Sequence, residues 1–223
     1  MLDWGPIILT LKLAVVTTLI LLVISIPLAH WLANTKSKIK AVVEAIVSLP
    51  LVLPPTVLGF YLLIAFSPES GIGSFLNNYL GLKLAFSFQG LVIGSVIYSL
   101  PFMVQPLQAG FSALPASLRE ASYMMGKSKL TTIRKVLLPN MKNSLLTGTV
   151  LAFAHTIGEF GVVLMIGGNI PDRTKVISIA IYDEVESLNY ANAHVYSLTL
   201  LVVTFTVLLF VYLKKNRSSK LLK

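Results

Sequence analysis

Long apolar runs alternate with short polar segments along almost the whole chain. A transmembrane helix needs about 20 mostly apolar residues, and five runs reach that length. They are 7–32, 46–66, 86–109, 144–166 and 195–213. The first run is longer than the apolar stretch of a signal peptide and has no cleavage-type ending, so we expect a retained span. The pattern predicts an all-α, polytopic membrane helix bundle of five transmembrane helices, in one transmembrane domain over residues 1–223.

Composition narrows the class of protein further. The 223 residues are 55% hydrophobic and 12% charged, with a mean hydropathy of +0.81. Soluble domains carry about 25% charged residues, so this chain has too few charged side chains to cover a water-soluble globule. A soluble enzyme, a disordered chain and a fibrous protein are therefore excluded. The sequence contains no cysteine, which excludes disulfides, thiolate metal sites and cysteine nucleophiles.

The positive charges fall on one side of the predicted spans. Fourteen of the 18 lysine and arginine residues lie in segments 33–45 and 110–143 and in the tail after residue 213. Because positively charged loops resist translocation, these three segments are expected to be cytoplasmic. The N-terminus is then outside and the C-terminus inside, as an odd number of spans requires.

The cytoplasmic segment 112–139 has the pattern of two short helices joined by a glycine. Ser112 is suited to cap the first helix, and Gly126 suits the left-handed residue that ends it. Ser128 is suited to cap a second helix that Pro139 stops. Such a pair either anchors in lipid headgroups as amphipathic interfacial helices or contacts a cytoplasmic partner.

A phosphate-binding loop in the same segment is excluded. Residues 121–128 fit a relaxed nucleotide-binding pattern, but no strand precedes them. Tyr123, Met124 and Met125 are too bulky for backbone amides to wrap a phosphate there. We therefore expect a chain that is not an enzyme, has no catalytic residues and no ATPase site, and binds no cofactor itself.

Three prolines interrupt the second apolar run. Pro50, Pro54 and Pro55, with Thr56 after them, lie within residues 48–60. Broken helical backbone is tolerated inside a bilayer only where it faces protein or a water-filled path. The segment is either a bent span or a helix break that lines a translocation path, and we favour the path.

The fourth apolar run carries the only acidic residue inside a predicted span, Glu159. Gly158 and Gly161 flank it and permit close helix approach. A buried carboxylate is costly, so we expect it to face the bundle interior with a partner. His155, four residues earlier on the same helix face, Lys12 or a backbone amide would serve. The ligands are too few for a metal site. We interpret Glu159 as a structural or gate-forming residue, with a place on the substrate path as the alternative.

The loop after the third run resembles the Glu-Ala-Ala…Gly…Leu-Pro loop of permease subunits of bacterial ABC importers. The matching residues are Glu120, Ala121, Ser122 in the place of the second alanine, Gly126, Ile133, Leu138 and Pro139. In that family the loop forms coupling helices that sit in a groove of a cytoplasmic ATPase. The resemblance implies the same role for this segment.

Nearly the whole chain is similar to the molybdate branch of the sulfate/molybdate permease family. The similarity includes residues 10–33, 49–59 and 120–139, and Gly-Glu-Phe-Gly at 158–161 followed by Gly-Asn-Ile-Pro at 168–171. It implies the type I permease fold of ABC importers. It also implies a subunit that translocates molybdate, with tungstate as a second substrate, by alternating access across the cytoplasmic (inner) membrane of a prokaryote.

The resemblance also implies the partners. They are a second copy of the chain in a homodimer, two cytoplasmic ABC ATPase subunits that hold ATP and Mg, an extracytoplasmic molybdate-binding protein and membrane lipid, without nucleic acid. A permease for sulfate, thiosulfate or another oxyanion is the first alternative. A secondary transporter or a membrane scaffold is less favoured, because the sequence shows no inverted repeat of broken helices.

Overall fold

The structure is a computed structural model that describes residues 3–220. The side chain of Val211 and the side chains of residues 214–220 lie outside the description, as do residues 1–2 and 221–223. The basic tail that the charge pattern puts on the cytoplasmic side therefore has no described side chains, and its position stays a prediction. Its members are Lys214, Lys215, Arg217, Lys220 and Lys223.

The described part of the chain is built from helices and contains no strand. In chain order they are α1 (Gly5–Asn34), α2 (Ile39–Val52), α3 (Pro55–Phe66), α4 (Gly71–Leu80), α5 (Phe88–Ala113), α6 (Ala116–Met124), α7 (Lys129–Thr132), a π-helical turn (Ile133–Leu137), α8 (Leu138–Asn140), α9 (Lys142–Ile157), α10 (Gly161–Gly167), α11 (Ile177–Glu186) and α12 (Tyr190–Lys220). This confirms the predicted all-α class.

Five crossings follow from these helices when each broken pair counts as one span. Helices α1, α5 and α12 are each long and apolar enough to cross a bilayer alone. Helices α2 and α3 form one broken pair, bent by 113°, and α9 and α10 form another, bent by 57°. The α2–α3 break falls in the proline-rich run where the sequence predicts one, whereas the α9–α10 break falls where the sequence suggests a continuous helix.

Helix α5 lies at the centre of the bundle and packs against α1, α2, α9 and α10. Small residues allow this close approach, as is usual between helices in lipid. A Cβ atom on Gly148 of α9 would lie 3.1 Å from the carbonyl oxygen of Met103 in α5. A Cβ atom on Gly110 of α5 would lie 2.6 Å from Cβ of Ser144 in α9. These two glycines keep α5 and α9 in direct backbone contact.

The first of the two cytoplasmic helices starts later than the sequence predicts. Ser112 lies in the last turn of α5 and caps no helix, because α5 continues through Ala113. Helix α6 begins at Ala116, after Pro115 at its N-cap position. The central glycine is predicted correctly, since Gly126 has a φ of +72°.

The second cytoplasmic helix begins as predicted but does not stop at the proline. The Ser128 hydroxyl accepts a hydrogen bond from the Thr131 amide at 3.3 Å, which is an N-cap. Pro139 lies inside the helical path, which continues to Asn140. A proline ring clashes with the carbonyl four residues earlier in a regular α-helix. The wider π-helical turn just before Pro139 relieves this clash, so the expected helix end is wrong.

Candidate translocation site and coupling surface

The breaks in the second and fourth spans contact each other in the middle of the bundle. A Cβ atom on Gly161, the first residue of α10, would lie 2.8 Å from Cβ of Pro55, the first residue of α3. A Cβ atom on Gly59 would lie 2.8 Å from Cβ of Met165. Helices α3 and α10 can pack this closely only because both positions lack a side chain.

A cavity of about 490 Å³ opens beside this contact, and we call it the central cavity. Its lining includes six of the residues predicted for a path or gate: Pro55, Thr56, His155, Gly158, Glu159 and Gly161. The other lining residues are Tyr98, Ala154, Phe160, Leu164 and Met165. Three elements that are far apart in sequence therefore meet at one site.

Two of the predicted pathway residues lie outside the central cavity. Pro50 is buried inside α2, and Pro54 is the N-cap residue of α3. Pro54 fixes where α3 begins, because proline is favoured at helix starts and cannot continue the helix before it. Both prolines shape the break without lining the cavity.

Glu159 lies in the break between α9 and α10 and is only 3% exposed. Neither carboxylate oxygen has a hydrogen-bond partner among the described residues. The Ser95 hydroxyl of α5 is its polar neighbour but is outside hydrogen-bonding geometry. The Glu159 backbone is held instead, because its carbonyl accepts a 2.6 Å hydrogen bond from the Ser178 hydroxyl.

The predicted partners of the Glu159 carboxylate are wrong. His155 Nδ1 lies 2.9 Å from Oγ of Ser99 in α5, and its ring stacks on Phe102 at 4.0 Å between centroids. Helix α9 ends at Ile157, so the four-residue spacing no longer puts His155 and Glu159 on one helix face. Lys12 lies near the start of α1, with its ammonium 4.8 Å from the ring centroid of Phe88 rather than at Glu159.

Tyr98 and Ser99 of α5 are site residues that the sequence does not reveal. Tyr98 lines the central cavity, and its ring lies 4.7 Å from that of His155 between centroids. Ser99 contacts both His155 and Thr156, at 2.9 and 3.0 Å. Neither residue lies at a helix break or carries a charge, so no sequence signal distinguishes them from other residues of an apolar span.

The central cavity is lined mostly by apolar surface, with a few polar side chains that are not cationic. Its lining residues include no lysine or arginine. The polar residues in its lining are Thr56, Tyr98, His155 and Glu159, beside the breaks of two helices. Among the described residues no three His, Asp or Glu side chains lie close enough together to hold a metal ion. The site can offer neutral hydrogen bonds to a passing solute.

The segment between α5 and α9, which the charge pattern predicts to be cytoplasmic, forms a second candidate surface, which we call the coupling surface. Glu120, Ala121 and Gly126 are exposed on it. Met124 is 90% exposed and Met125 72%. Exposed methionines that the chain itself does not cover are typical of protein-binding surfaces, because their flexible side chains adapt to a partner.

The remaining residues predicted for this segment hold it together or support it. Ser122 is buried, and its hydroxyl lies 2.8 Å from that of Thr132, which joins α6 to α7. Ile133 and Leu138 are half-buried and pack against the apolar core, whereas Pro139 is exposed. The segment is therefore a bent pair of short helices that is held by internal contacts and exposes residues at its bend.

Comparison with known proteins matches this architecture. A family model described as "Binding-protein-dependent transport system inner membrane component" covers residues 22–216. The "Molybdenum transport system permease protein ModB" of Azotobacter vinelandii is 48% identical over 211 residues, which are 94% of this chain and 93% of that protein. The "Probable sulfate transport system permease protein cysT" of Marchantia polymorpha is 32% identical over 202 residues, 91% of this chain and 70% of that protein.

A solved structure shares the fold at low sequence identity. A chain of a bacterial ABC transporter involved in the import of the acidic polysaccharide alginate superimposes with a TM-score of 0.77 at 19% identity, over 96% of this chain and 78% of that chain. The shared fold and the family match agree. The chain belongs to the family of inner membrane components of binding-protein-dependent transport systems.

Proposed function

We propose that this chain is the permease subunit of an ATP-driven, binding-protein-dependent importer of molybdate. The observation that carries the proposal is the 48% identity, over 94% of the chain, to the A. vinelandii molybdenum transport permease. Relatives described as sulfate permeases are 32–37% identical, so sulfate or thiosulfate is the second candidate. Tungstate is expected as a second substrate, because it nearly matches molybdate in charge, shape and size.

The central cavity supports a translocation path. A tetrahedral dianion cannot cross hydrocarbon unaided, since burying isolated charge costs on the order of tens of kcal/mol by Born estimates. The cavity offers hydroxyls and the N-terminus of α3, whose dipole favours an anion. Because no cationic side chain lines it, an anion would be solvated there without being held. The buried carboxylate of Glu159 fits a gate residue better than a ligand, because it would repel an anion.

The two helix breaks support an alternating-access mechanism. A bundle with breaks of 113° and 57° at adjacent positions can rock about those points without unfolding its helices. ATP-driven closure of partner ATPases would push on the coupling surface, and α5, which is continuous with it, would carry the motion to the central cavity. ATP and Mg belong to the ATPases in this proposal, and the chain itself holds no cofactor.

We propose the remaining partners and the location on the same basis. Two copies of the chain would enclose the path, because a bundle of five spans is thin for a closed aqueous route. Two ABC ATPases would bind on the cytoplasmic side and a molybdate-binding protein on the outside, in the cytoplasmic membrane of a prokaryote. Native mass spectrometry showing one permease per two ATPases would contradict the homodimer.

The test is uptake by proteoliposomes that contain the permease and its ATPase, supplied with the cognate binding protein. We expect ATP-dependent accumulation of molybdate and tungstate, and none of sulfate at the same concentration. Calorimetry of the binding protein with each of the three anions tests whether the binding protein determines the substrate selectivity. Sulfate binding tighter than molybdate would overturn the substrate, whereas the absence of ATP-dependent uptake of all three would overturn the importer.

A further inference from the structure

A second cavity of about 490 Å³ lies at the end of the bundle where α1 and α5 begin, and we call it the Lys12 cavity. Three cationic side chains line it: Lys12 from α1, Lys83 from the loop before α5, and Arg173 from the loop before α11. Asp172 is the only acidic residue in its lining. The cavity therefore carries an excess of positive charge.

The three cations have no acidic partners in the described part of the chain. The ion pairs found there are Lys40 with Glu44 and Lys175 with Asp183. The Asp172 carboxylate lies beside the start of α1, where a Cβ atom on Gly5 would be 3.1 Å from its Oδ1. The Gly5 amide donates to Asp3 Oδ1 at 2.8 Å, and an acidic group at a helix N-terminus is stabilised by the helix dipole. Asp172 forms no ion pair with any of the three cations in the described part of the chain.

Lys12 sits on a face of α1 that is otherwise apolar and exposed. Ile8, Val15 and Leu19 share this face at helical spacing, and they are 63%, 47% and 58% exposed. Lys12 is seven residues, or about 10 Å, along the helix from Gly5. A water-soluble protein would not reach an ammonium at that depth beside lipid-facing side chains, but a lipid headgroup or a small anion would.

The Lys12 ammonium is also directed into the cavity. It lies 4.8 Å from the ring centroid of Phe88 at the start of α5, a cation–π contact. Gln89, the next residue, lines the cavity and its side-chain amide makes no hydrogen bond to any described residue. Side chains that can donate hydrogen bonds, Lys12 from α1 and Gln89 from α5, thus line the same cavity as Lys83 and Arg173.

We propose that the Lys12 cavity binds a tetrahedral oxyanion group, either the headgroup phosphate of an anionic phospholipid or a free oxyanion. Three unpaired cations and a free amide around one concave site are the donors that such a group requires. The lipid-facing position of Lys12 makes the phospholipid headgroup the expected source. The site is separate from the central cavity, and the proposal does not depend on the identity of the transported solute.

The experiment is native mass spectrometry of the full chain in detergent, titrated with phosphatidylglycerol, phosphatidylcholine or inorganic phosphate. Variants are Lys12→Gln, Lys83→Gln, Arg173→Gln and the triple variant. The matched control is Lys36→Gln with Lys38→Gln, which removes exposed, unpaired lysines from the opposite side of the predicted spans. Thermal unfolding of each variant verifies that it is folded.

If lipid is the source, each single variant binds phosphatidylglycerol about fivefold more weakly and the triple variant about a hundredfold. The control and phosphatidylcholine binding then stay unchanged. If inorganic phosphate binds to the wild type and is lost in the same variants, the site is supported with a free oxyanion as its source. Unchanged binding of all three probes in the triple variant would overturn the proposal. Loss of association with the binding protein alone would also overturn it, because the cations would then form a protein-docking surface.

Discussion

At the scale of single residues, Gly126 is required by its left-handed backbone conformation and not by close packing against neighbouring residues. Its φ is +72°, and a Cβ atom added there would have no heavy atom within 4 Å. A β-branched residue would strain the backbone by roughly 1–2 kcal/mol. We expect Gly126→Val to leave the protein folded in the membrane but to open the bend of the coupling surface. Uptake would fall at least tenfold while the ATPase subunits continue to hydrolyse ATP.

The control for Gly126→Val is Gly81→Val. Gly81 has a φ of +64° and equally open surroundings, but it lies in the loop after α4, on the predicted outer side. The two variants therefore impose the same backbone strain at opposite ends of the molecule. Equal loss of uptake in both would assign the effect to general strain and contradict a role of Gly126 in coupling.

At Glu159 the backbone carbonyl accepts a hydrogen bond, whereas the side-chain carboxyl group has no hydrogen-bond partner among the described residues. A charged side chain at the centre of a membrane span costs about 2.5–3.5 kcal/mol on insertion scales when it is unpaired. Glu159→Gln keeps the shape and replaces the ionisable carboxyl group with a neutral amide. We expect it to raise the thermal unfolding midpoint of the detergent-solubilised permease by several degrees, as measured by differential scanning fluorimetry.

Glu44→Gln is the matched control for that change. Glu44 is half-buried in α2, where it accepts a 2.6 Å hydrogen bond from Gln108 and pairs with Lys40 at 3.8 Å. Removal of a carboxylate that has partners is expected to leave the unfolding midpoint unchanged or lower it. A lower midpoint for Glu159→Gln as well would mean that the Glu159 carboxyl group has a stabilising partner in the solubilised permease, and it would contradict the prediction.

At the scale of the elements, the close packing of the two broken spans depends on the contact between Gly161 and Pro55. A Cβ atom on Gly161 would lie 2.8 Å from Cβ of Pro55, whereas one on Gly158 would have no neighbour closer than 3.8 Å. We expect Gly161→Ala to destabilise the fold by about 1–3 kcal/mol through overpacking. Gly158→Ala is expected to be tolerated, although both glycines flank Glu159. Unfolding midpoints that fall equally in the two variants would contradict the observed contact between α3 and α10.

The sequence predicts the position of the first break but not that of the second, where it suggests a continuous helix face. Proline at 54 and 55 marks the first break because proline has no amide hydrogen and fixes its own φ. The break at residues 158–160 ends α9 at Ile157 and so cancels the pairing of His155 with Glu159 that helical spacing suggests. In the segment between α5 and α9, a π-helical turn before Pro139 allows the helical path to continue through this proline. Residue types such as proline identify where a helix is disfavoured, but the conformation of the neighbouring turns decides whether the helix ends there.

At the scale of the whole molecule, fold class and orientation follow from physical rules that need no tertiary contacts. Apolar length predicts the spans, and the distribution of lysine and arginine predicts which loops are cytoplasmic. The central cavity is different, because it joins Thr56, Tyr98 and His155 from three separate elements. Tyr98 becomes recognisable only after α5 is placed at the centre of the bundle. The same holds for the Lys12 cavity, whose cations come from one helix and two loops.

The number of crossings depends on whether the strongly bent pair α2–α3 spans the membrane or returns to the side it came from. A bend of 113° is compatible with both. The charges favour a crossing: segments 33–45 and 110–143 are both basic, and α5 lies between them as one full span. For both segments to be cytoplasmic, the α2–α3 pair must also cross.

Single cysteines test this directly, because the natural sequence contains none. Ser37, Asn78, Ser117 and Ser187 are exposed positions in four successive inter-span segments. We expect Asn78→Cys and Ser187→Cys to react with a membrane-impermeant maleimide in intact cells. Ser37→Cys and Ser117→Cys are expected to react only after permeabilisation. If Asn78→Cys were instead protected together with Ser37→Cys, while Ser117→Cys reacted from outside, the α2–α3 pair would be a re-entrant loop. The coupling surface would then face away from the cytoplasm, and no ATPase could bind to it.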